Sequence, residues 1–136
     1  MSNISSIDIS ASGLFAQRVR LDAIASNIAN VNTTRTESGG PYRKQEVVFM
    51  SNTNPFESGR AGVEVDEVVE SQDPPKMVYD PSHPDADASG MVAMPNINIV
   101  EEMVDMITAT RSYEANVQAI QAAKSMANRA MEIGRG

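Results

Sequence analysis

The stretch that decides the fold is Ile4-Ser5-Ser6-Ile7-Asp8-Ile9-Ser10-Ala11-Ser12-Gly13-Leu14-Phe15-Ala16-Gln17-Arg18-Val19-Arg20-Leu21-Asp22-Ala23-Ile24-Ala25-Ser26-Asn27-Ile28-Ala29-Asn30-Val31-Asn32. Ile7, Leu14, Leu21 and Ile28 recur at intervals of seven, and Ile4, Ala11, Ile24, Ala25 and Val31 fill the neighbouring seam positions. A narrow apolar stripe with a seven-residue repeat is the mark of a helix that packs along another helix. The spacing predicts one helix over 4–32, ~43 Å long at 1.5 Å per residue. Gly13 is its weak point, at a cost of ~1 kcal/mol relative to Ala, and suggests a bend or a close backbone approach. Asn30, Asn32, Thr33 and Thr34 are poor helix residues and end it.

The far end of the chain repeats the theme. Ile99, Met103, Met106, Thr110, Tyr113, Val117, Ile120, Lys124, Ala127 and Met131 follow a three-four spacing, which predicts a second helix over 96–133, ~55 Å long. Asn96 and Asn98 are N-cap candidates, and Glu101, Glu102 and Asp105 suit the first turns. Between the helices the texture changes. Strands are expected at Tyr42–Met50, across Val63, Val65, Val68 and Val69, at Met77–Tyr79 and at Met91–Met94, with a polar loop over 51–62 and turns at Asp73-Pro74-Pro75 and 80–85. The expected architecture is therefore α+β: two long terminal α-helices in a coiled-coil-like pair, with a small acidic β insert between them. Its parts are an N-terminal axial helix (1–34), a β-rich insert (35–95) and a C-terminal axial helix (96–136). The first and last pack as one discontinuous helical domain.

A two-sevenths stripe cannot bury itself. One reading is a helical hairpin within a monomer. The other is assembly, with the uncovered flanks buried against further copies or related chains. Composition favours a meagre core, because the 136 residues include no Trp, three Tyr and three Phe, with nine Met as flexible seam filler. The net charge of -7 falls almost wholly on residues 57–90, with 2 basic and 9 acidic groups. An acidic chain without a basic face excludes nucleic acid as a partner.

The search for chemistry finds little. With no Cys there is no disulfide, thiolate or Cys-ligated metal. The single His83, in His83-Pro84-Asp85-Ala86-Asp87, could suggest a metal site or a general base, but reads better as a Pro-fixed turn. Asp85, Asp87 and Ser89 before Gly90 faintly echo a calcium loop but lack its later Glu. No phosphate loop or oxyanion motif is present. The expectation is no enzyme, no catalytic residue, no cofactor and no metal. No apolar run is long enough for a membrane span, and the N-terminus lacks the basic and apolar regions of a cleaved signal peptide.

The runs Ala11-Ser12-Gly13-Leu14-Phe15-Ala16-Gln17-Arg18 and Ala25-Ser26-Asn27-Ile28-Ala29-Asn30-Val31-Asn32-Thr33-Thr34 resemble the signature of bacterial flagellar rod and hook proteins. Pro41-Tyr42-Arg43-Lys44, Val78-Tyr79-Asp80-Pro81, His83-Pro84-Asp85-Ala86-Asp87, Met94-Pro95-Asn96, Arg111-Ser112-Tyr113-Glu114-Ala115-Asn116 and Lys124-Ser125-Met126 are similar to those of a proximal-rod member, in order along nearly the whole chain. The resemblance implies an axial protein that leaves the cell through the flagellar type III export apparatus without a cleaved signal. It implies assembly in the periplasm into a rod that carries motor torque. Implied partners are its own copies, the other proximal rod proteins, the distal rod protein and the adaptor joining rod to membrane ring. The assembly interface is expected at Ile7, Leu14, Leu21, Ile24 and Ile28, packing on Met103, Met106, Tyr113, Val117 and Ile120 within and between subunits. Asn27 and Asn30 are expected to bond to neighbouring backbone at the helix end, or simply to stop the helix. Two other readings remain: a soluble coiled-coil adaptor or chaperone, and a hydrolase or metal enzyme centred on His83.

Overall fold

A computed structural model describes residues 2–52 and 61–136; the side chain of Ile4 and most of the expected polar loop lie outside the described residues. Two helices dominate it. Helix α1 spans Ser2–Ala29 and helix α2 spans Ile99–Arg135. Helix α1 stops three residues before the sequence suggests. The Asn30 amide still reaches the Ser26 carbonyl at 3.1 Å, but Thr33 then folds back onto Asn30, so the Asn-rich tail is a turn. Helix α2 begins at the second of the two candidate caps: the Asn98 side chain, on extended backbone, accepts from the amides of Val100 (3.0 Å) and Glu101 (3.4 Å).

The described residues of the insert hold four strands: β1 (Gln45–Asn52), β2 (Gly62–Glu70), β3 (Lys76–Tyr79) and β4 (Met91–Met94). They form two separate two-stranded antiparallel ribbons. Strand β1 pairs with β2 from Gln45 opposite Glu70 to Asn52 opposite Gly62, with an irregularity between Val48 and Phe49. Strand β3 pairs with β4 from Lys76 opposite Met94 to Tyr79 opposite Met91. The first strand begins later than Tyr42, because the Tyr42 amide is drawn back to the Thr33 carbonyl at 3.0 Å and closes a loop. The acids Glu64, Asp66 and Glu67 on β2 lie exposed, as a solvated strand face should.

The helices run antiparallel, with Gly13 beside Asn116, Arg20 beside Asp105 and Asn27 beside Glu102. The β1–β2 ribbon lies against α1 as well. Its contact is close: a Cβ on Gly62, whose φ is +154°, would stand 2.3 Å from Ser12 Oγ, which instead accepts from the Val63 amide at 3.1 Å. Among the described residues, the buried apolar ones are Ala16, Ala23, Ile24, Val92, Ile97, Ala109 and Ala123. Four of these seven are alanines. Since hydrophobic stabilisation scales with the apolar area removed from water, this core contributes little per residue.

Candidate assembly interface

On a helix, positions three and four apart share a face. On α1 the buried positions Ala16, Ala23, Ile24 and Asn27 look toward α2 and the β1–β2 ribbon. The heptad residues Ile7, Leu14, Leu21 and Ile28 sit at the margin of this face and are half-buried, while Ile24 is buried. Ala11, Arg18, Asp22, Ala25 and Ala29 lie beyond them on the exposed side. On α2 the buried line is Glu102, Ala109 and Ala123. Met106, Val117 and Ile120 are half-buried beside it, and Met103 and Tyr113 lie exposed. The inward line of α2 is thus turned by roughly 70–80°, about three-quarters of a residue step, from the expected stripe. Small residues set the spacing: a Cβ at Gly13 would stand 2.9 Å from Asn116 Nδ2, so this glycine marks a close helix–helix approach.

The strongest local geometry is a polar joint of which the sequence reading singled out only Asn27. Asn27 is 1% exposed and uses its whole amide. Its Nδ2 donates to the Gln45 carbonyl (3.0 Å) and to Glu102 Oε2 (3.1 Å). Its Oδ1 accepts from the Gln45 amide (2.8 Å) and from the Tyr42 hydroxyl (3.1 Å). With the Tyr42 proton committed to Asn27, Ser26 Oγ donates to Tyr42 at 3.0 Å. By bonding both backbone groups of Gln45, the Asn27 side chain stands in for a neighbouring strand at the start of β1.

Glu102, also 1% exposed, meets Lys44 Nζ at 3.0 Å. Lys44 is the charge partner of Glu102 Oε1, which accepts no other hydrogen bond among the described residues. Burial by itself depresses the Lys44 pKa, but the contact with Glu102 and the fields of Glu46 and Asp105 together outweigh it, and the net effect is a raised value. The joint therefore ties α1, α2 and the loop into β1 together. Glu102 had read as a first-turn acid; what could have flagged it is its phase, four residues before Met106 and seven before Ala109. Asn30 behaves differently from Asn27: its Nδ2 donates to the Ser26 carbonyl of its own helix at 2.8 Å, and its Oδ1 accepts from Thr33 Oγ1 at 3.1 Å.

The His83 loop is a turn with its polar groups spent internally, apart from Asp85. His83 Nδ1 accepts the Asp85 amide at 3.0 Å. Asp87 Oδ1 accepts from the Ser89 amide, the Ser89 hydroxyl and the Met91 amide at 2.7–2.9 Å, and these bonds hold its pKa below the ordinary carboxylate value. Asp80 is lowered by the Ser82 hydroxyl. Asp85 is lowered first by Thr34 Oγ1 at 2.7 Å and then by Arg35, contacts that pin the loop after α1 to this turn. No cluster of three metal-ligating side chains occurs among the described residues.

Comparison with known proteins matches the same two helices. A family model described as flagella basal body rod protein matches residues 7–35, and one described as flagellar basal body rod FlgEFG protein C-terminal matches residues 88–133. The flagellar basal-body rod protein FlgC of Borreliella burgdorferi is 45% identical, with both chains covered in full. The proteins of the same name from Escherichia coli O6:H1 and Bacillus subtilis are 44% and 43% identical, over 99% of this chain and 100% of theirs. The chain belongs to the FlgC family of flagellar basal-body rod proteins. In this FlgC-family chain the two matched regions hold nearly all of α1 and α2, while β1, β2 and β3 lie between them. Full-length FlgC relatives span that insert too. The chain is accordingly a structural component of the flagellar basal-body rod, and no described helix is long and apolar enough to cross a membrane.

Proposed function

We propose that this chain is a subunit of the proximal rod that polymerises through α1 and α2 into the drive shaft carrying motor torque. The observation that carries the reading is the incompletely covered helix pair in a chain that matches FlgC proteins over its whole length. Val100 is 69% exposed, Met103 51% and Ile133 80%, which is a poor arrangement for a lone protein and a good one for a subunit. Residues 1–34 and 96–136 act as one discontinuous axial domain, and 35–95 as the insert that decorates it. Ile7, Leu14, Leu21, Ile24 and Ile28, with Met103, Met106, Tyr113, Val117 and Ile120, complete their burial within and between subunits.

In this reading the chain passes through the flagellar type III export apparatus without a cleaved signal and assembles in the periplasm. Its neighbours are its own copies, other proximal rod proteins, the distal rod protein and the adaptor to the membrane ring. Stiffness follows from packing, because close-packed side chains cannot slide without opening voids. Leu21→Asp places a charge in a seam that loses its water on assembly. The expected result is loss of swimming and absence of the variant from isolated basal bodies; a motile Leu21→Asp strain sinks the assignment of that seam.

A further inference from the structure

The antiparallel pair leaves an outward face on each helix, and the two outward faces carry matching patterns. On α2, Val100, Met103, Val104 and Ile107 form an exposed apolar strip two turns long, continued by the exposed Arg111 and Glu114. On α1, Arg18, Asp22, Ala25 and Ala29 lie on the exposed side, next to the half-buried Leu21 and Ile28. None of Arg18, Asp22, Arg111 and Glu114 has an ion-pair partner among the described residues.

We propose that the outward face of α1 on one copy of this chain receives the outward face of α2 on a second copy, antiparallel, with Arg18 against Glu114 and Asp22 against Arg111. This rests on the rod-subunit reading above and names the partner and register of its seam. The charges fix the direction. With Arg18 level with Glu114, only an antiparallel path brings Asp22 to Arg111, since both pairs then advance about one helical turn. A parallel path sets Asp22 against the uncharged Gln118. The same register carries the apolar strip to the right place. Seven residues on from Arg18 and seven back from Glu114, Ala25 meets Ile107; Ile28 and Ala29 then meet Val104 and Met103. The alanines admit these larger side chains closely, so complementary size accompanies complementary charge. The intrachain pairing is different: it sets Asn27 beside Glu102 and Gly13 beside Asn116, and leaves Ala25 and Ile107 both exposed. Because the two faces are unlike, each added copy presents a fresh face to the next, and the contact need not close.

The chain has no cysteine, so engineered thiols report on this contact without background. Two differently tagged copies, one with Ala25→Cys and one with Ile107→Cys, replace the native chain in the source bacterium, and basal bodies are isolated after mild oxidation. The expected result is a disulfide dimer carrying both tags and requiring both cysteines. Ala25→Cys paired with Gln118→Cys, about 16 Å away along the helix, should give none. No mixed dimer from rods that contain both variants, or equal cross-linking to position 118, overturns the register. The second arm uses charge: Arg18→Glu should reduce swimming and Glu114→Arg on the same chain should restore it. A double variant no better than the single one also overturns the proposal. If the tagged, unmutated chain is absent from basal bodies, the rod-subunit reading falls, and the contact falls with it.

Discussion

The two ends of the helix pair are built on opposite plans. At the end nearest the insert, α1 and α2 meet around buried polar groups: Asn27, Glu102 and Lys44, with Tyr42 and Gln45 closing the network. At the far end the pair runs out. With Asn27 level with Glu102 and Gly13 level with Asn116, the start of α1 comes level with about residue 127, and the last turns of α2 extend past it. Met131 and Ile133 are exposed there. The first end keeps its directional bonds within the chain. The second displays apolar surface that only another molecule can cover. Order in the isolated protein should therefore be concentrated where the polar joint is.

The largest effect that can break this contrast comes from the buried ion pair. Lys44→Met leaves the Glu102 carboxylate buried without its cation, and the expected loss is about 2–3 kcal/mol of stability by denaturant unfolding, moderated by the partial exposure of Lys44. Replacing both residues by Met should recover most of it, since paired removal leaves no stranded charge. Next comes Asn27→Ala, which strands the amide and carbonyl of Gln45 and one oxygen of Glu102; about 2 kcal/mol is expected, with faster hydrogen exchange at the start of β1.

A pH scan of the melting temperature probes the same joint at one extreme and the His83 loop at the other. The Lys44 pKa is raised above its ordinary 10.5, so its contribution is complete below pH 10.5 and disappears as pH climbs through the raised value. Asp80, Asp85 and Asp87 are lowered below 3.8, so their contribution is intact above pH 3.8 and disappears as pH falls through the lowered values. The smallest effect belongs to the far end. Ile133→Lys should change the stability of the purified chain by less than about 0.5 kcal/mol. A loss as large as that of Asn27→Ala would show that the far end is covered after all.

The architecture was largely legible in the sequence, because it depends on periodicity. Both helices, all four strands and the acidic insert follow from spacing and turn residues, with boundaries moved by two or three residues where side chains intervene, as at Tyr42 and Asn30. The separation of the strands into two ribbons was not legible, since pairing across 45–94 depends on contacts far apart in the chain. The packing of the two helices within the chain was legible as a set of apolar positions but not as a rotation. A heptad stripe shows that a helix packs, while small residues and close approaches such as Gly13 with Asn116 decide which edge of the stripe faces inward. The polar joint was hidden for a further reason. Asn27 and Glu102 look like an ordinary helix-end residue and an ordinary first-turn acid, and only the return of the chain at Lys44 and Gln45 brings their partners.

The strand-like grip of Asn27 on Gln45 has a mechanical consequence. Beads threaded on slack string can spin independently, and a β insert held only by its two connecting segments would do the same relative to the helices. An amide that bonds both the amide and the carbonyl of one residue removes that freedom, because rotation of β1 in either sense must break one of the two bonds. A twisting load on the insert therefore reaches the helices through a joint without play, placed in the last turn of α1.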